Sequence, residues 1–143
     1  YRHFPLTAIH SKSQKEAEAT ECAGELGGNS GFWLYLDLIF TTTPSDNKLD
    51  PALLPTIAAD IGLDQADFER CLKSGKYAAK IEAMVKDAEQ SGGTGTPHTL
   101  IVVGENQLPM QGAQPYSSIA SVIETILQSV PQPRSGTETP QQQ

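Results

Sequence analysis

The chain has 143 residues, a net charge of −7 and a sequence pI near 4.8, with 38% hydrophobic and 19% charged residues. That length suits one domain of roughly 100–200 residues, and the composition is that of a globular protein with a real core, which excludes disorder throughout. The acid excess and the scattered Lys and Arg exclude a phosphate-tracking surface, so nucleic acids and anionic membranes are not expected partners.

Tyr1 to Leu6 alternates aromatic and polar residues ahead of Pro5, the pattern of a short strand. Residues 13–26 then place Ala19, Cys22, Ala23 and Leu26 on one helical stripe, with Ser11 or Ser13 as cap and Gly27-Gly28 as the stop. Lys15, Glu16, Glu18 and Glu21 fall on the opposite face and are expected in water. A second stripe, Phe32, Trp33, Leu36, Ile39 and Phe40, has helical spacing and is expected to pack in the core. The apolar stretch it belongs to is cut by Asp37 and is far shorter than the ~18 residues of a membrane span.

Asp50-Pro51 supplies an N-cap and an N1 proline for a third helix through Leu53, Leu54, Ile57, Ala58 and Ile61, which Gly62 closes. Asp64 caps a short helix through Leu72, and the Lys73-Ser74-Gly75 corner leads into another with Tyr77, Ile81, Met84, Val85 and Ala88 on one face. After the glycine-rich corner at 91–95 the pattern becomes extended. Thr99 to Val103 is a run of β-formers apolar on both sides, which calls for a covered sheet. Gly104-Glu105-Asn106 turns into a second strand near Gln107 to Gln111, an antiparallel hairpin. A last helix is predicted from Pro115 to Val130, with Tyr116, Ile119, Val122, Ile123, Ile126, Leu127 and Val130 inward. Residues 131–143, with three prolines and four glutamines, are predicted to be a disordered tail. Three strands leave the 99–103 run short of cover, so a pairing element is expected to be missing.

Cys22 and Cys71 are 49 positions apart, which excludes a Cys-x-x-Cys pair within the chain. Each lies on the apolar face of its helix. Two readings stand: buried free thiols packing as small hydrophobes, or a structural disulfide if the two Cα atoms come within ~7 Å. His3, His10 and His98 show no ligand spacing with either cysteine, so no metal site is expected. Hydrolase and phosphate-loop motifs are absent, and Gly92-Gly93-Thr94-Gly95 precedes a strand rather than a helix, the wrong setting for an anion cradle.

The informative motif is Gly95-Thr96-Pro97 at the mouth of an apolar strand, where proline is tolerated only at the first position because it cannot donate to the ladder. Together with Tyr1-Arg2-His3-Phe4-Pro5-Leu6, the Ala23 to Gly27 segment before Phe32-Trp33, Phe68-x-x-Cys71-Leu72-x-Ser74-Gly75-Lys76, and Thr99 after the proline, it resembles the bacterial DsbA-like thiol-disulfide oxidoreductases of the thioredoxin superfamily. The resemblance covers roughly residues 1–130 and implies an α/β thioredoxin-like fold with residues 13–91 as a helical insertion. It also implies that the N-terminal βα unit, with the redox Cys-x-x-Cys and the first helix, is missing from this chain, which begins at Tyr1 rather than at a methionine.

The family further implies a cis Pro97 that presents the backbone of Thr96 to an extended substrate, with Gly95 and His98 as neighbours. Expected partners are proteins or peptides carrying thiols or disulfides, and a redox partner protein. No cofactor is expected, a membrane tether only through an upstream segment, and a location outside the cytoplasm, in the periplasm or cell envelope. A noncatalytic peptide-binding module is the competing expectation, and a glutathione-linked isomerase or transferase of the same architecture the third; the residues upstream distinguish them.

Overall fold

A computed structural model describes residues 1–43 and 47–129. The predicted tail, residues 131–143, and Val130 at the end of the predicted last helix lie outside the described residues. Two compact units divide the chain, one from Tyr1 to Thr96 and the other from Pro97 onward.

The first unit is helical: α1 (Ser13–Thr42), a 3-10 turn at Pro51–Leu53, α2 (Leu54–Asp60), α3 (Gln65–Ser74) and α4 (Ala78–Gln90). Gly28, at φ 63° and ψ −158°, breaks α1 into two segments, and only glycine occupies that backbone region without strain. The predicted stop is therefore real, but the next helix begins at once. The segments come close across the break: a Cβ at Gly31 would lie 2.7 Å from the Ala23 carbonyl oxygen. Neither predicted serine caps the start of α1. Lys12 holds the N-cap position with helical backbone angles, and Ser13 Oγ donates back to the His10 carbonyl, so the chain winds into α1 from a turn and offers no extended corner for a cap.

Asp50 accepts from the Ala52 amide at 2.9 Å with Pro51 behind it, and Asp64 accepts from the Asp67 amide at 2.8 Å; both predicted caps form. Gly75 ends α3 in the left-handed conformation, φ 65°.

The core of this unit gathers Ala19, Cys22, Ala23, Tyr35, Ile39, Leu49, Leu54, Ile57, Ala58, Phe68, Cys71 and Leu72. Burying side chains the size of Tyr35, Phe68 and Leu54 contributes roughly 1.5–3 kcal/mol each. The second stripe is rotated from its expected setting. Leu36 and Ile39 are buried as predicted and Tyr35 joins them, but Trp33 is 43% exposed and Phe40 62% exposed. Leu26 and Leu53, expected inward, also face solvent. The tilt follows from Tyr35, whose ring packs on Phe68 with centroids 5.3 Å apart and draws that face of the segment inward.

Residues 1–6 carry no ladder hydrogen bonds, contrary to the predicted strand. The His3 amide instead donates to Met84 Sδ at 3.4 Å, and the Leu6 carbonyl accepts from Ile9 and His10 in a turn. A strand is defined by its neighbour, and no described strand pairs with this segment.

The second unit contains β1 (His98–Val103), β2 (Asn106–Gln111) and α5 (Tyr116–Ser129). The strands pair antiparallel, with Val103 opposite Asn106 and Leu100 opposite Pro109. Gly104 takes φ 60° in the two-residue turn, as tight hairpins require. Pro109 is tolerated because each strand of a two-stranded ribbon is an edge. The expected third strand is absent among the described residues, and the β1 run is not covered on both faces: Val102 is 60% exposed. The α5 stripe is likewise not inward as predicted. Tyr116, Val122, Ile123 and Leu127 are exposed, and only Ile119, Ala120 and Ile126 are partly buried. A hairpin of two six-residue strands offers too little surface to cover a fourteen-residue helix.

Candidate functional site

The predicted corner lies where α4 has ended and β1 begins. Gly92, at φ 86°, and Gly93, whose amide donates to the Ala88 carbonyl at 2.8 Å, close α4. Gly95 is half-buried, with open space where a Cβ would project, and Thr96 is exposed. On the β1 side Pro97 is exposed and its carbonyl accepts from the Gly112 amide at 2.9 Å, which ties the mouth of the hairpin shut. His98 opens β1 opposite Gln111. Its ring nitrogens are both shielded from solvent and have no hydrogen-bond partner among the described residues. Gly95, Thr96 and Pro97 thus precede the strand, and His98 is its first residue.

The cysteines come together elsewhere. Cys22 in α1 and Cys71 in α3 form a disulfide, with Cα atoms 5.9 Å apart, so the reading of two free thiols is corrected. Both residues sit on the apolar faces of helices that pack against each other, and the mutual burial that would have suited free thiols also brings the sulfurs into bonding range. Cys22 lies deep inside α1 and Cys71 deep inside α3, neither at a helix N-terminus where a thiolate is stabilised. Among the described residues no cluster of His, Cys, Asp or Glu could hold a metal ion.

Sequence reasoning missed the polar face of α1. Glu18 and Glu21, expected in water, are buried, and Glu16 is half-buried, where burial pushes its carboxyl up. Lys15 Nζ reaches Glu18 at 3.1 Å and donates to the Leu72 carbonyl at 2.8 Å, satisfying the end of α3. Lys80 Nζ meets Glu21 at 2.6 Å, and Lys76 Nζ meets Glu25 at 2.5 Å. Glu21 and Glu25 are one turn apart on α1, Lys80 lies in α4 and Lys76 in the turn that leads into it, and the two pairs form in opposite chain order along this seam. That complementary four-residue spacing is legible in the sequence and would have located it.

Tyr77 closes the cluster, its hydroxyl donating to Glu25 Oε2 at 2.6 Å. Burial, together with the Glu25 charge, pushes the Tyr77 phenol up to about 12. The hydrogen bonds from Lys76 and Tyr77 hold the Glu25 carboxyl below its ordinary value. Along the same seam runs a cleft of about 570 Å³, its lining including Tyr1, Phe32, Trp33, Glu21, Lys80 and Met84. The Tyr1, Phe32 and Trp33 rings meet edge to face at 5.3–5.8 Å. His3 is buried beneath Tyr1 and Phe32, its Nε2 3.6 Å from Glu21, and desolvation holds its imidazole below its ordinary value against the pull of that carboxylate.

Comparison with known proteins bears on the fold. Residues 1–125 match the family described as thioredoxin. The crystal structure of Pseudomonas aeruginosa DsbA2 is similar with a TM-score of 0.70 at 25% sequence identity, over 87% of this chain and 69% of that one. Two curated relatives, Na(+)/H(+) antiporter NhaA 1 of Salinispora arenicola and NhaA 3 of Salinispora tropica, are each 36% identical over 97 residues. Those matches take in 68% of this chain but only 14% of either antiporter. Family match and fold agree: the chain belongs to the thioredoxin family, as a DsbA-like member of the superfamily.

Proposed function

We propose that this chain is the substrate-presenting part of a thiol-disulfide oxidoreductase that acts on protein disulfides outside the cytoplasm. Redox chemistry of this type needs an activated cysteine at a helix N-terminus. The observation that carries the reading is that both cysteines are committed to a buried bond between two helix interiors, which leaves the Gly95-Thr96-Pro97-His98 corner as the part suited to exchange substrates. With Pro97 cis, the Thr96 backbone accepts an extended peptide as a strand edge does, and Gly95 leaves room for its approach. The partners are then proteins or peptides with thiols or disulfides. Likeness to DsbA2 supports the chemistry, and the Cys22–Cys71 bond supports an oxidising compartment such as the periplasm or cell envelope.

The antiporter names belong to proteins of which the matched segment is a small part, and no helix of the described residues is long and apolar enough to cross a membrane. Ion exchange is not assigned to this chain. The test is insulin reduction with dithiothreitol, using the 143-residue chain. No acceleration over the uncatalysed reaction is expected. Turnover that survives Cys22→Ser and Cys71→Ser together would overturn the reading, because the chain would then reduce disulfides without any thiol of its own.

A further inference from the structure

Exchange requires a thiolate to reach one sulfur of a disulfide while the other leaves with the electron pair. The two cysteines of the Cys22–Cys71 bond are not equally buried: Cys22 is 1% exposed and Cys71, nearer the rim of the core, 8%. An attacking thiolate from solvent therefore meets Cys71, and Cys22 is the leaving group. Glu25 stands at that rim, three residues beyond Cys22 on α1, with its Oε2 3.8 Å from Cys71 Sγ. The bridged sulfur has no proton, so this is a contact between a carboxylate and a sulfur and not a hydrogen bond. Lys76 and Tyr77 pin the carboxylate in place at 2.5 and 2.6 Å.

We propose that Glu25 is an electrostatic guard that withholds the Cys22–Cys71 disulfide from thiol exchange. In the reaction it opposes, a thiolate RS⁻ attacks Cys71 Sγ. The mixed disulfide RS–Sγ forms, the Sγ–Sγ bond breaks, and Cys22 leaves as a thiolate that takes its proton from water. A second RS⁻ then attacks the sulfur of R, releasing Cys71 as a thiolate and giving RSSR, so two external thiols are oxidised and the protein disulfide is reduced. Glu25 repels the incoming anion in the first step and disfavours negative charge on Cys71 in the second. Burial of Cys22 adds to the barrier, because its thiolate leaves into apolar surroundings. Lys76, bound to the same carboxylate, offsets part of the repulsion. The proposal is independent of the peptide-binding reading of the Gly95–His98 corner.

The test measures how fast the full chain is reduced by three thiols, mercaptoethanesulfonate, 2-mercaptoethanol and cysteamine, whose thiolate forms carry net charges of −2, −1 and 0. Freed cysteines are trapped by alkylation and counted by mass. Glu25→Gln should speed reduction by 2-mercaptoethanol about fivefold, the scale of a unit charge a few ångströms away in a watery site. The gain should be larger for the sulfonate, nearly absent for cysteamine, and erased in 1 M salt. Lys76→Met should slow the sulfonate reaction, and it keeps the proposal testable should Glu25→Gln disturb folding. Equal rates for Glu25→Gln and the parent, or the same gain with all three thiols, would overturn the guard, as would no effect of Lys76→Met on the sulfonate rate.

Discussion

The Tyr35 hydroxyl donates to the Leu54 carbonyl at 3.0 Å, inside a core from which water is excluded. One bond ties the second segment of α1 to the start of α2, and burial together with the nearby Glu16 charge pushes the phenol well above its ordinary range, so it stays protonated and donating. Tyr35→Phe keeps the ring against Phe68 and removes only the donor. A loss of about 1 kcal/mol is expected, the usual net value of one buried hydrogen bond, read as a lower urea midpoint at unchanged slope.

The break at Gly28 brings Gly31 so near Ala23 that an added Cβ would lie 2.7 Å from a backbone oxygen. Backbone cannot swing aside as a flexible side chain can. Gly31→Ala should cost roughly 1–3 kcal/mol despite alanine's better helix propensity, whereas Gly95→Ala, with open space around it, should leave thermal stability unchanged.

His3 gives the first unit a pH dependence with a definite sign. Desolvation outweighs the attraction of Glu21 and, helped by Lys80, holds the folded-state imidazole below its unfolded value near 6.5. Unfolding then takes up a proton that the native state refuses, so stability present above pH 6.5 is lost as pH falls through the folded-state value. Denaturant midpoints taken at pH 8 and pH 5 should differ more for the parent chain than for His3→Phe. Equal differences would remove His3 as the cause.

Cys22 and Cys71 stand 49 positions apart, and joining them restricts the unfolded chain. Loop-closure entropy puts the stabilisation at about 4 kcal/mol. Replacing both by alanine should lower the unfolding free energy by that order, while reduction of the parent chain followed by alkylation should cost at least as much, since the alkyl groups must also be accommodated in the core.

Local signals were legible wherever a few neighbouring residues fix the outcome. Asp50-Pro51 and Asp64 act as caps, Gly28 and Gly75 stop helices, and Gly104 turns the hairpin, because each depends on its own backbone angles or on an amide two or three residues away. A proline before a strand, as at Thr96-Pro97, is likewise recognisable without knowing what surrounds the strand. Which face of the Phe32 to Phe40 segment turned inward was not legible. Apolar residues nearly encircle that helix, and Phe68, a distant residue in α3, selected Tyr35 over Trp33 and Phe40.

The sequence by itself therefore determined the order of the helices and the hairpin after residue 13, several of their ends and the family to which they are similar, because these rest on short-range steric and hydrogen-bonding preferences. Tertiary structure alone decided that Cys22 bonds Cys71, that Glu18 and Glu21 are buried, and that residues 1–6 form no strand. Each of those depends on a partner far along the chain. Spacing can permit such a meeting, but only the packed helices bring the sulfurs, the carboxylates and the lysines within bonding distance.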